Sequence, residues 1–187
     1  MSLKQLPNIL TVGRVLLVPP FVWLLFAQDF QWALLLFFVA GLSDGVDGFL
    51  AKHYGWHSRF GAITDPLADK LLMVSAYTTL AFLSYLPFWL LFAVLARDIV
   101  IVAGATVYHS IIGPFIMTPS LLSKTNTFFQ IFLVLLVLIE LAYNVIAEVV
   151  IKAIIWLVFA LTVSSGVHYV VAWSRKFLQE RRRSAND

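Results

Sequence analysis

Six long apolar runs, at roughly 9–27, 31–53, 61–85, 87–109, 124–143 and 148–173, constrain this chain more than any other feature. About 20 apolar residues suffice to cross the hydrocarbon core of a bilayer as a helix. In lipid every backbone polar group must be satisfied internally, so such runs read as helices. The expected fold class is an all-α membrane protein with six transmembrane helices, a single domain over 1–187 with a basic tail at 174–187. Of the 187 residues 61% are hydrophobic and 12% charged, against about 25% charged in a soluble domain. The first run lacks a small-residue cleavage site and reads as a span rather than a removable signal. There is no cysteine, which excludes disulfides and thiolate metal sites.

Six spans place both termini on one side of the membrane. Lys4, Arg14, Lys52, Arg59, Lys70, Arg97, Lys124 and the tail arginines lie toward that side, and Lys152 lies near the other. This asymmetry puts the termini in the cytoplasm. It predicts a multi-pass integral protein of a bacterial inner membrane, or of the mitochondrial inner membrane facing the matrix. The net charge of +3 therefore reflects topology and contact with anionic lipid, and not nucleic-acid binding.

Within two of the apolar runs sit Asp44, Asp47, Asp65 and Asp69, four of the ten acidic residues. Ionisable groups at such depth are costly and mark functional sites. Asp44 and Asp47 are three apart and Asp65 and Asp69 four apart, so each pair shares a helix face. Two helices joined by a short connector bring all four to one spot. Four anions in low dielectric must protonate or gather cations. Lys52, Arg59 and Lys70 flank the group, and an all-oxygen donor set suits Mg²⁺, Mn²⁺ or Ca²⁺.

Asn8 or Thr11 caps or solvates the start of the first helix, and Arg14 either snorkels to headgroups or serves the site. Pro19-Pro20 is expected to kink or interrupt that helix. Gly45 and Gly48 leave backbone open beside the first acidic pair, for a ligand or for close packing. His53 and His57 read as solvated connector residues, and Pro66 is placed near a helix start. Arg97 and Asp98 lie midway along the fourth run; an adjacent pair does not face itself on a helix, so either each pairs with a neighbouring helix, or Arg97 faces the cavity and grips a phosphate while Asp98 orients it or caps a neighbouring helix. His109 to Ser123 reads as a long interfacial loop. Ser123 or Thr125 then caps the fifth helix, with Lys124 beside a helix N-terminus that attracts anions. Glu140 is expected to be solvated, Glu148 and Lys152 to pair, and Ser164, Ser165 and Gly166 to allow tight packing.

The central stretch resembles the CDP-alcohol phosphotransferase signature D-x-x-D-G-x-x-A-R-x8-G-x3-D-x3-D. Asp44, Asp47, Gly48, Ala51, Gly61, Asp65 and Asp69 match it, every spacing is kept, and Lys52 stands where the family has arginine. The resemblance implies six membrane helices, a cavity open to the cytoplasm and a homodimer. It implies that Asp44, Asp47, Asp65 and Asp69 hold two Mg²⁺ or Mn²⁺ ions and that Asp69 is the general base. Asn8, Thr11, Gly48, Ala51, Lys52 and Gly61 would bind CDP-diacylglycerol, and Arg14, Arg97 and Lys124 the acceptor phosphate. Lysine keeps the charge of the family arginine but loses its planar fork.

PNILTVGR, DPLADKLL and SGVHY are similar to the family branch whose acceptors are phosphatidylglycerol and glycerol 3-phosphate. Within that branch Arg97-Asp98 and TPSLLSKTNTFFQ look more like the members that use phosphatidylglycerol. Asn126 stands where a second lysine would serve a small dianion, whereas phosphatidylglycerol carries one negative charge. The expected reaction is phosphatidyl transfer from CDP-diacylglycerol to phosphatidylglycerol, giving cardiolipin and CMP; the alternative acceptor is glycerol 3-phosphate. From another class, a cation-coupled transporter would also place acids in the membrane, but it calls for paired interrupted helices, and none is evident.

Overall fold

The computed structural model describes residues 6–54, 59–112 and 120–184, with side chains described at 12–43, 68, 70–104, 106 and 120–173. Among the described residues there are six helices and no strand: α1 (Leu6–Phe26), α2 (Phe30–Tyr54), α3 (Arg59–Phe82), α4 (Phe88–Ile112), α5 (Leu121–Tyr143) and α6 (Glu148–Ser184). The helical expectation therefore holds element by element. Among the described residues two helical stretches, Leu121–Tyr143 and Glu148–Trp173, are long and apolar enough to cross a membrane, with shorter apolar stretches at Val12–Phe26, Phe30–Ser43 and Lys70–Phe82. Large apolar side chains such as Leu16, Trp23, Phe92, Ile99 and Trp156 are exposed, which water disfavours and acyl chains accept.

Several boundaries differ from expectation. α1 continues through Pro19 and Pro20 without interruption, although each proline removes one intrahelical donor. α6 runs beyond 173 to Ser184; Arg, Lys, Gln and Glu are good helix formers, and no glycine or proline stops them. α4 extends to Ile112 and α5 begins at Leu121, so both ends of the expected 109–123 loop are helical; 113–119 lies outside the described residues. α3 begins at Arg59, which puts Pro66 about two turns in rather than in the first turn. His53 belongs to α2, and His57 lies outside the described residues.

The short turns are set by local chemistry. Gln28 and Ser84 adopt left-handed φ of 59° and 65°. After α1, Asp29 N–H donates to Leu24 O (3.0 Å) and Gln28 N–H to Leu25 O (3.1 Å); after α3, Tyr85 N–H donates to Leu80 O (2.9 Å) and Ser84 N–H to Ala81 O (2.9 Å). Both are Schellman closures that satisfy terminal carbonyls. After α5, Asn144 has φ 54° and the Glu140 carboxylate accepts the Ile146 N–H at 2.5 Å. Glu140 thus closes a turn instead of being merely solvated.

The chain groups into two compact units, Met1–Pro87 with Val134–Ala147, and Phe88–Leu133 with Glu148–Asp187. In the first, α1 packs against α2 and α3. Fully buried Ala33, Ala40, Ala68 and Ala76 allow close helix approach, the usual way membrane helices gain dispersion contact. Phe21 and Phe37 meet at 5.7 Å between ring centroids. In the second, α4 packs against α6. Trp89 lies 5.2 Å from Trp156 and 5.0 Å from Phe159, and a Cβ at Gly104 would stand 3.4 Å from the Trp173 ring.

Candidate active site

The first unit carries the acids. Asp44 and Asp47 fall in the later part of α2 and Asp65 and Asp69 in the first half of α3, two helices that share α1 as a packing partner. The backbone there is helical, so each pair keeps the one-face spacing that its sequence implies. The side chains of all four, like those of Asn8, Thr11, Gly48, Ala51, Lys52 and Gly61, lie outside the described residues. Among the described residues no cluster of histidine, aspartate or glutamate could hold a metal. The expected donor set is made only of carboxylate oxygens, which suits a hard divalent cation. Arg14, in the same unit, is 1% exposed. It therefore does not snorkel, and a buried guanidinium at that position calls for partners inside the protein.

The second unit carries a polar junction. Arg97 is 9% exposed. Its Nε donates to Ser165 Oγ (3.4 Å) and its Nη2 to Ser165 Oγ (3.2 Å) and to Ser123 Oγ. Nη1 donates to Asp98 Oδ1 at 2.8 Å in an ion pair. Of the two uses expected for Asp98, orienting Arg97 or capping a neighbouring helix, the first is the one seen, because a long arginine side chain folds back far enough to reach its neighbour. A junction of α4, α5 and α6 results, around one guanidinium.

The start of α5 fixes one wall of that junction. Its N-cap is Ser120, not Ser123 or Thr125: Ser120 Oγ accepts the Ser123 N–H at 3.2 Å and Ser120 O the Lys124 N–H at 3.1 Å. This is the N3 capping bond, and it frees the Ser123 hydroxyl to meet Arg97. Thr125 and Thr127 turn back on their own helix, to Leu121 O (3.0 Å) and Ser123 O (3.1 Å). Lys124 is exposed.

One turn deeper lies a second polar layer. The Thr162 hydroxyl donates to Asn126 Oδ1 (2.9 Å), and Gln130 Nε2 approaches Thr162 Oγ1 at 3.4 Å. Asn126, Gln130, Thr162 and Ser165 are all buried. Ser165 was expected only to allow tight packing, and the roles of Gln130 and Thr162 were missed altogether. The available signal was polar residues three or four apart, at 123, 126 and 130 on one run and at 162 and 165 on the next, a spacing that makes two facing stripes. On α6, Glu148 and Lys152 pair at 2.7 Å as expected, with both side chains exposed.

The CDP-alcohol phosphatidyltransferase family profile matches residues 4–164. The chain belongs to this family. Among relatives of this CDP-alcohol phosphatidyltransferase, human "Cardiolipin synthase (CMP-forming)" is 29% identical over 190 residues, covering 93% of this chain and 63% of the human protein. A "Probable phosphatidylglycerophosphate synthase" of Mycobacterium tuberculosis is 36% identical over 179 residues, covering 90% of this chain and 81% of the relative. The Drosophila melanogaster "Probable cardiolipin synthase (CMP-forming)" is 30% identical over 186 residues, covering 91% of this chain and 58% of the relative. The chain thus spans about three-fifths of the length of these animal relatives. The family matched is one of CDP-alcohol phosphatidyltransferases, a description that fits an enzyme and not a cation-coupled transporter.

Proposed function

We propose that this chain is a six-span enzyme, one domain over 1–187, that transfers a phosphatidyl group from CDP-diacylglycerol to phosphatidylglycerol on the cytoplasmic face, giving cardiolipin and CMP. The observation that carries the reading is the acid spacing, preserved on two helices, α2 and α3, in a member of this family. Asn8, Thr11, Gly48, Ala51, Lys52 and Gly61 bind CDP-diacylglycerol. Asp44, Asp47, Asp65 and Asp69 would hold Mg²⁺ or Mn²⁺, whose charge offsets the pyrophosphate and the departing CMP. Asp69 accepts the proton of the acceptor hydroxyl. The hydroxyl oxygen forms a bond to the phosphorus that bears the diacylglycerol, the bond from that phosphorus to the bridging oxygen breaks, and CMP leaves with that oxygen. Arg14, Arg97 and Lys124 hold the acceptor phosphate. A homodimer in the bilayer is the assembly that the family resemblance implies.

For the acceptor, the setting of Arg97 favours phosphatidylglycerol. Its charge is already offset by Asp98, and its other partners are neutral hydroxyls, which suits one negative charge better than two. The second reading, glycerol 3-phosphate, is favoured by the 36% identity to the mycobacterial relative. Purified protein given CDP-diacylglycerol and each acceptor in turn decides between them. Cardiolipin with phosphatidylglycerol is the expected result, and product only with glycerol 3-phosphate rejects the first reading.

A further inference from the structure

We propose that Ser123 and Ser165 are positioning residues that fix the plane of the Arg97 guanidinium so that it recognises a phosphodiester oxygen of the acceptor lipid. The inference rests on the proposed acceptor role of Arg97. Three features of the junction lead to it.

The first is how the donors are distributed. A guanidinium has five N–H groups in a planar fork. Ser165, on α6, takes the edge formed by Nε and Nη2, and Ser123, on α5, takes the other side of Nη2. Two hydroxyls on two helices therefore define the plane, while Asp98 takes Nη1. Among the described residues these bonds account for all but one N–H, on Nη1. The second is the charge of the partners. Asp98 is the charged partner; the serine hydroxyls satisfy N–H groups without adding a further negative charge that would repel an incoming anion. The third is that both serines are themselves held in register. Ser123 occupies the N3 position set by the Ser120 cap. Ser165 lies three residues after Thr162, and Ser123 three before Asn126; the bond of Thr162 to Asn126 locks α5 to α6 one turn from Arg97. Helical spacing brings Ser123 and Ser165 to the same level by that bond.

A fork fixed before the acceptor arrives loses less freedom on binding than a mobile one. Removing the serines should weaken acceptor recognition and leave CDP-diacylglycerol recognition alone. The test is a double-mutant cycle on the full-length protein in phosphatidylglycerol-containing vesicles, with KM measured for both substrates and thermal unfolding followed in parallel. Ser123→Ala with Ser165→Ala should raise the acceptor KM about tenfold or more, since bonds to a charged group are involved. The KM for CDP-diacylglycerol should stay within about twofold. Ser123→Thr, which keeps the hydroxyl, should restore most of the effect of Ser123→Ala. Arg97→Lys should raise the acceptor KM by itself, and in that background the serine substitutions should add nothing, because no fork remains to orient.

If the paired variant does not fold, Ser123→Ala alone, in the first turn of α5, carries the cycle. An unchanged acceptor KM in the serine variants, or an equal further rise in the Arg97→Lys background, overturns the positioning role. An Arg97→Lys protein with unaltered acceptor KM instead overturns the acceptor role of Arg97, whatever the serines do.

Discussion

The acidic helices of the first unit and the polar junction of the second place charge within apolar helices in opposite ways. On α2 and α3 four like charges stand within 26 residues, at 44, 47, 65 and 69, with Lys52, Arg59 and Lys70 at the margins. Such a group must protonate or gather cations. On α4 one cation is enclosed by groups of the chain itself: an adjacent carboxylate and hydroxyls from two other helices. On the proposed reading the first region is completed by metal and nucleotide, whereas the second has its partners within the chain. Substitutions in the first should therefore abolish chemistry at little cost in stability, and substitutions in the second should cost stability or acceptor affinity.

The largest effect expected is on the acids. Asp69→Asn should lower CMP release by about 10²–10⁴-fold, the usual share of a general base, with an unfolding temperature near that of the parent. Lost folding in place of lost turnover would break the contrast between the two regions. Chelation by EDTA should likewise stop CMP release, and Mg²⁺ or Mn²⁺ should restore it; turnover that persists through exhaustive chelation would remove the cations from the account.

A smaller effect, of the opposite kind, is expected from Thr162→Val. It deletes the donor to buried Asn126, and membrane hydrogen bonds of this type are worth about 0.6–1.7 kcal/mol. Equilibrium unfolding in detergent should show that loss, with CDP-diacylglycerol KM unchanged. The smallest effect concerns Ser84, at φ 65°. Ser84→Gly removes the left-handed penalty and should be neutral to stabilising by up to about 1 kcal/mol, which the same unfolding measurement reads.

The regions also differ in how much of them the chain declared in advance. The six helices followed from apolar runs that only helices can satisfy in lipid, and the acids announced themselves because carboxylates do not belong in such runs. The junction was legible in part: Arg97 and the polar start of α5 stood out, while Ser165, Gln130 and Thr162 did not. Small polar residues are common in membrane helices, and what separates packing from hydrogen bonding is which helix faces which. The same reason explains the misplaced cap. Whether Ser120 or Ser123 begins α5 turns on three residues of helix, within the range where local propensity decides little. The pairing of Arg97 with Asp98 stood as one of two open uses of Asp98, because Cβ spacing says nothing of where a long side chain ends.

The central claim is that the acids of α2 and α3 form one cation site. Titrating the purified protein with Mn²⁺ in the presence of a CDP-containing nucleotide tests it most directly, comparing the parent with Asp44→Asn and Asp65→Asn. The account predicts about two ions per chain, as for a two-metal site, and a large loss of binding in both variants, since each removes a ligand from a shared site. If either variant kept full Mn²⁺ affinity and stoichiometry while its fold was intact, the two helices would not share one site, and the account would be contradicted.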